Sequence, residues 1–175
     1  LGNSLGGATA LRYALQRPER VGSLILNSPA GAPLGAPELE ALRTRFGVKS
    51  REDARRFIAE LLHAPPVYFR LIEEGLAAEL GRPLVQSVLS TIRDDDFFTA
   101  EELAALAPPT LVLWGKSDRI LPASGLAFYR RALPAATRFE EIEGVGHSIH
   151  LERPGLVMKR LLEARDRIAS GSPPS

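Results

Sequence analysis

Two short apolar runs, Val21 to Leu26 and Thr110 to Trp114, constrain this chain more than any other feature. Runs of that length, rich in branched side chains and bounded by turn residues, read as strands buried on both faces. Everything around them has helical spacing. Residues 7–17 place Leu11 and Leu15 four apart among Ala8, Ala10 and Ala14, and Pro18 ends that helix. After a loop over 27–37, the stretch from about 38 to 107 is helical throughout. Ser50-x-x-Asp53 and Thr99-x-x-Glu102 have the form of capping boxes, and Pro65-Pro66 and Pro108-Pro109 are breaks. Beyond the second run come a helix opening near Pro122 and a poorer strand, Thr137 to Ile142. Glu140 and Glu141 spoil that strand's alternation and put it at a sheet edge. A closing helix starts at Pro154, with Val157, Leu161 and Ile168 on one face and Met158 read as core. Strands alternating with helices predict an α/β fold, a parallel sheet covered on both sides.

Composition narrows the function classes. The chain has 175 residues, 45% of them hydrophobic and 25% charged, enough for one domain with a sizeable core. Lys+Arg 22 against Asp+Glu 21 leaves a net charge of +1, which argues against an electrostatic nucleic-acid binder. Absence of Cys excludes disulfides, thiolate metal sites and a cysteine nucleophile. No apolar run is long enough to span a bilayer as a helix. The chain opens Leu1-Gly2-Asn3-Ser4 and its only Met is Met158, so it reads as beginning inside a fold whose earlier strands precede it. Residues 171–175 read as a flexible tail.

Gly2-Asn3-Ser4-Leu5-Gly6 fits the pattern G-x-S-x-G. A serine on a sharp strand-to-helix turn takes a strained backbone conformation, and its neighbours two residues away need room that glycine provides. The helix that follows aims its first N–H groups at the reaction centre, and the Leu5 N–H is the candidate oxyanion donor. The alternative is a glycine-rich turn in which Ser4 only caps a helix. A serine nucleophile needs a base, and the base an orienting carboxylate. His147 lies on the glycine-lined loop Gly144-Val145-Gly146-His147-Ser148, after the third strand. Asp118 follows the strand ending at Trp114, at the carboxyl end where open α/β sheets place their sites. Taken singly, Asp118 reads equally as a turn residue and His147 as an exposed loop histidine. Three such residues, each just past a strand and in the order Ser4, Asp118, His147, point to a triad. His147-x-x-His150 lacks a third ligand, so no metal is expected. Asp94-Asp95-Asp96 reads as a solvated loop or a helix terminus, and His63 as a helix-end residue facing water.

The chain resembles the C-terminal part of an α/β-hydrolase-fold serine hydrolase, beginning at the nucleophile elbow. The segments that carry the likeness are Gly2–Gly7, Leu113–Pro122 and Gly144–Pro154. The stretch His147-Ser148-x-x-x-Glu152-Arg153-Pro154 is similar to that of monoacylglycerol-lipase-like esterases. The elbow also resembles that of meta-cleavage-product hydrolases, which usually carry Trp after the histidine where Ser148 stands here; that departure favours an ester substrate. The resemblance implies a partial α/β-hydrolase domain over 1–170 with a helical cap inserted at about 31–107. It implies Ser4 as nucleophile, Asp118 as orienting acid, His147 as general base, and no cofactor. Phe57, Leu61, Leu62, Tyr68, Phe69, Phe97 and Phe98 are candidates to line an acyl or aryl pocket, with ordinary helix packing as the alternative for each. The expected ligand is a small-molecule ester or acyl compound; a carbon–carbon bond hydrolase and a non-catalytic binding module are the rival readings. The family's earlier strands and its second oxyanion donor are not in this sequence, and losing one such donor costs about 3 kcal/mol. The isolated chain is therefore expected to be inactive, its strand at 21–26 open along one side, and to need the N-terminal half of the same fold.

Overall fold

A computed structural model describes residues 1–170; the tail expected at 171–175 lies outside the described residues. Strand β1 (Gly2–Asn3) runs through a turn into helix α1 (Leu5–Gln16), then β2 (Leu24–Asn27). Five helices follow: α2 (Ala36–Phe46), α3 (Arg51–Leu61), α4 (Glu73–Leu80), α5 (Pro83–Thr91) and α6 (Ala100–Ala104). Strand β3 (Thr110–Gly115), α7 (Ala123–Ala132), β4 (Arg138–Ile142), the single turn α8 (Ile149–Glu152) and α9 (Pro154–Ser170) complete the chain. The four strands form one sheet in the order β1-β2-β3-β4, every pair parallel.

Side-chain alternation sorts the two central strands into two cores. Leu24, Leu26, Val112 and Trp114 face a large cluster with Leu11 and Ala14 of α1 and Tyr129 and Ala132 of α7. Ile25, Leu111 and Leu113 face a smaller one with Val145, Ile149 and Val157. All six residues of β3 are buried, as its unbroken apolar run requires, whereas β4 lies at the sheet edge and is mostly half-buried. The parallel sheet and flanking helices expected from the alternation are thus present.

Several local expectations need correction. Helix α1 begins at Leu5 rather than Gly7, and β2 at Leu24 rather than Val21, because Val21 still closes a turn onto Pro18. Strand β2 is not an edge: β1 pairs with Leu26 and Asn27, so among the described residues the open side is β1 itself together with Leu24 and Ile25. Met158 is 55% exposed rather than core, since one residue beyond Val157 the helix turns its side chain about 100° away from the sheet.

Helices α2 to α6 form the inserted block. Ser50 Oγ accepts the Asp53 N–H at 3.1 Å, and Thr99 and Glu102 cap each other reciprocally, as their spacing predicts. Glu73, its side chain 2% exposed, joins α4 to α3: Arg51 Nε donates to Oε2 at 2.9 Å and Arg55 Nε to Oε1 at 2.9 Å. These hydrogen bonds, Arg55 first and Arg51 next, outweigh burial and hold the carboxyl at about 2, below its ordinary 4.5. A folded-state value below the unfolded one gives stability that is complete above the ordinary value and is lost as pH falls toward the folded one. The melting temperature is therefore expected to drop between pH 4.5 and about 2, and Glu73→Gln to be less stable at neutral pH with that part of the acid limb flattened. Thermal melts across this range check it; identical acid limbs in both proteins would remove Glu73 from the account.

Candidate active site

Ser4 sits between β1 and α1 with φ 52 and ψ −122, a conformation that L residues adopt at a cost of about 1–3 kcal/mol. Four backbone hydrogen bonds hold it there. Its N–H donates to Asn27 O at 3.0 Å, and its carbonyl accepts from Gly7 (2.9 Å), Ala8 (3.1 Å) and Ala30 (3.0 Å). The tight turn explains Gly2, where a Cβ would lie 2.4 Å from Gly6 O. The second close approach falls at Gly7, whose Cβ would meet Pro29 Cβ at 2.9 Å, and not at Gly6, which faces open space. Leu5 opens α1, so its N–H precedes the helix's own hydrogen bonding and remains a donor at the elbow.

Asp118 and His147 meet above the same rim of the sheet. His147 Nδ1 lies 2.8 Å from Asp118 Oδ2, with the two side chains 3% and 1% exposed. Asp118 Oδ1 accepts the N–H groups of Ile120 (2.9 Å) and Leu121 (3.0 Å), so every contact fixes the carboxylate in one orientation. Close packing brings the two loops together: a Cβ on Gly115 would lie 2.0 Å from Gly146 O. His147 Nε2 is buried and has no hydrogen-bond partner among the described residues. With Nδ1 committed to the carboxylate, Nε2 is the nitrogen left to exchange a proton.

Among the described residues, the other buried side-chain atoms without a partner are Asn3 Oδ1, Asn27 Oδ1 and Nδ2, Ser28 Oγ and His150 Nδ1. Asn3 and Asn27 are register partners at the carboxyl ends of β1 and β2. Burial, and less strongly His147, hold the His150 imidazole below its usual value, so it stays neutral beside the site. Sequence reading passed over Asn3, Asn27 and Ser28. The available signal was a polar pair, Asn27-Ser28, ending an otherwise apolar strand.

Of the proposed pocket residues, Phe97 lines a cavity that Leu5 of the elbow also lines. Together with Ala8, Leu34, Trp114 and Leu121 these two enclose its apolar volume of about 110 Å³ beside the elbow. Among the described residues, Asp96 is the one charged residue on its wall, and no cationic side chain lines it. Phe57 is instead core, edge-on to Phe46 at 4.9 Å, and Leu62 and Phe98 are buried. Leu61 packs against the core, and its carbonyl accepts the His147 N–H at 2.8 Å. Tyr68 is 65% exposed and stacks on Phe69 away from that cavity. His63 is exposed as expected, but its Nδ1 lies 2.8 Å from Ser117 Oγ.

This architecture recurs in known proteins. The model of the alpha/beta hydrolase family matches residues 1–160. A 2-hydroxy-6-oxononadienedioate/2-hydroxy-6-oxononatrienedioate hydrolase of Pseudomonas sp. is 31% identical over 134 residues, covering 70% of this chain and 47% of the relative. Monoacylglycerol lipase abhd6-B of Xenopus laevis is 29% identical over 172 residues, covering 88% of this chain and 50% of the relative. Among solved structures, the 2-hydroxy-6-oxo-6-phenylhexa-2,4-dienoate hydrolase from Rhodococcus sp. strain RHA1 superposes with a TM-score of 0.79 at 24% identity, covering 94% of this chain and 62% of that one. The chain spans about half the length of the curated relatives it matches.

Proposed function

The chain belongs to the alpha/beta hydrolase family, and from that premise we propose that the intact protein is a serine hydrolase of carboxylic esters. One observation carries the reading: a histidine bound through Nδ1 to a doubly anchored carboxylate, its Nε2 buried and free, at the rim that holds a strained serine. Ser4 Oγ attacks the acyl carbonyl while His147 Nε2 takes its proton. The Leu5 N–H donates to the oxyanion. His147 returns the proton to the departing alkoxide, and the bond between carbonyl carbon and alcohol oxygen breaks. Water, activated by the same imidazole, then releases the acid. Asp118 keeps the proton on Nδ1 and stabilises the imidazolium that forms.

The cavity beside Leu5 suits a short, uncharged apolar acyl group, because a carboxylate there would meet Asp96 with no cation to offset it. A carbon–carbon hydrolase using the same three residues is the second reading, favoured by the likeness to the Pseudomonas enzyme. The anionic substrate in that relative's name fits this cavity poorly. The 175-residue chain alone is expected to be inactive, since the elbow rests on a two-residue strand at the sheet edge.

The test is a fluorophosphonate probe on the intact protein, followed by peptide mapping and assay with a short-chain aryl ester and a vinylogous diketone. Adduct on Ser4 with ester turnover is the expected result. Diketone turnover without ester turnover would transfer the assignment to the second reading. A protein that takes no label and turns over neither compound would be a binding module on a hydrolase frame.

A further inference from the structure

Resting on the hydrolase reading, we propose that Glu152 is the positioning residue for His147, tying the histidine loop to the exit of cap helix α3. The loop needs such a tie. It carries glycines at 144 and 146, the first at φ +64, and a reacting imidazole must be held to within a fraction of an ångström. Glu152 Oε2 accepts the Gly146 N–H at 2.6 Å, one residue before the histidine. Its Oε1 accepts the N–H groups of His63 (2.8 Å) and Ala64 (3.3 Å), where the chain leaves α3. The N–H of His147 itself goes to Leu61 O at 2.8 Å. Backbone at the histidine and just before it is thus fixed to residues 61–64, His147 directly and Gly146 through the Glu152 carboxylate.

Two further observations make this a junction rather than a surface contact. A Cβ on Gly146 would lie 2.7 Å from Leu61 O and 2.9 Å from His63 N, so the loops meet backbone to backbone. The Asp118 loop is tied to the same exit, through Arg119 Nη1 to Ala59 O (2.9 Å) and through Ser117 Oγ at the His63 ring. Base and acid loops share one anchor, and a displacement of the α3 exit moves both. Three donors converge on two oxygens that only accept. An amide at this position turns its own N–H groups toward at least one of those donors.

The experiment compares Glu152→Gln and Glu152→Ala with the wild type, all as intact protein. Three quantities are read: ester kinetics, the rate of fluorophosphonate labelling at Ser4, and the low-field proton resonance of His147 Nδ1. Misplacement of a reacting group by about 1 Å costs on the order of 100-fold. Glu152→Ala is expected to lower kcat and the labelling rate by about that factor with KM within about twofold, and to shift or broaden the resonance. Glu152→Gln, nearly the same shape, is expected to fall between the two and covers the case in which the alanine variant does not fold. Folded variants with the wild-type resonance and labelling rate would overturn the positioning role even in an active enzyme. Wild-type protein that is neither labelled at Ser4 nor active would overturn the hydrolase reading and this assignment with it, whatever the resonance does.

Discussion

Replacing Ser4 by Ala in the intact protein is expected to lower ester turnover by about 10⁶-fold and to abolish labelling. The size follows from the division of labour. Asp118 and His147 prepare a base, but the base acts on one hydroxyl. With that hydroxyl gone, the imidazole can at best activate water held in no particular place. What survives is the contribution of substrate binding and of the Leu5 N–H. Removing His147 as well should cost little more, since residues that act as a unit fail as a unit. Steady-state kinetics with an aryl ester decide the matter. A Ser4→Ala protein within about tenfold of wild type would remove the nucleophile from the proposal.

The second large effect is structural. Gly115→Ala is expected to destabilise the fold by about 3 kcal/mol or more and to slow Ser4 labelling. The added Cβ would lie 2.0 Å from Gly146 O and 2.5 Å from Val145 O, and both obstacles are backbone. Relief requires separating the loop that carries Asp118 from the loop that carries His147. Those loops are already fixed by the Ser117 N–H to Val145 O at 2.9 Å and the Lys116 N–H to Ile142 O at 3.0 Å. Gly75→Ala in α4, where a Cβ meets nothing, is the matched control, and there the methyl group should be neutral or slightly stabilising. Denaturant midpoints for both variants check the difference. Equal midpoints would mean that the two loops do not approach as closely as described.

Strand β1 has two residues, and the relatives are about twice as long as the matched region. The proposed inactivity of the chain by itself is therefore a statement about support: the strained Ser4 is held from one side by Asn27 and Ala30. Its other flank is where the proposal places the rest of the fold.

Much was legible in the sequence because it is encoded within a few consecutive residues. The apolar run from Thr110 to Trp114 is a buried strand wherever it is placed, and Ser50 and Thr99 cap helices by reaching only three residues ahead. Ser4, Asp118 and His147 could be picked out because each stands just past a strand, and parallel strands deliver such positions to one rim. Tertiary structure alone decided which distant segments share a surface. Phe97 and Tyr68 are alike as residues, yet one lines the cavity at the elbow and the other faces solvent. Met158 turned outward by one helical step from Val157. Only half of what holds the histidine loop could be read ahead: Glu152 stands in the sequence, but its partners are the N–H groups of His63, Ala64 and Gly146, and the His147 N–H goes to the carbonyl of Leu61. Backbone groups are nearly the same in every residue, so their pairing leaves no mark in residue identity and exists only once the chain has packed.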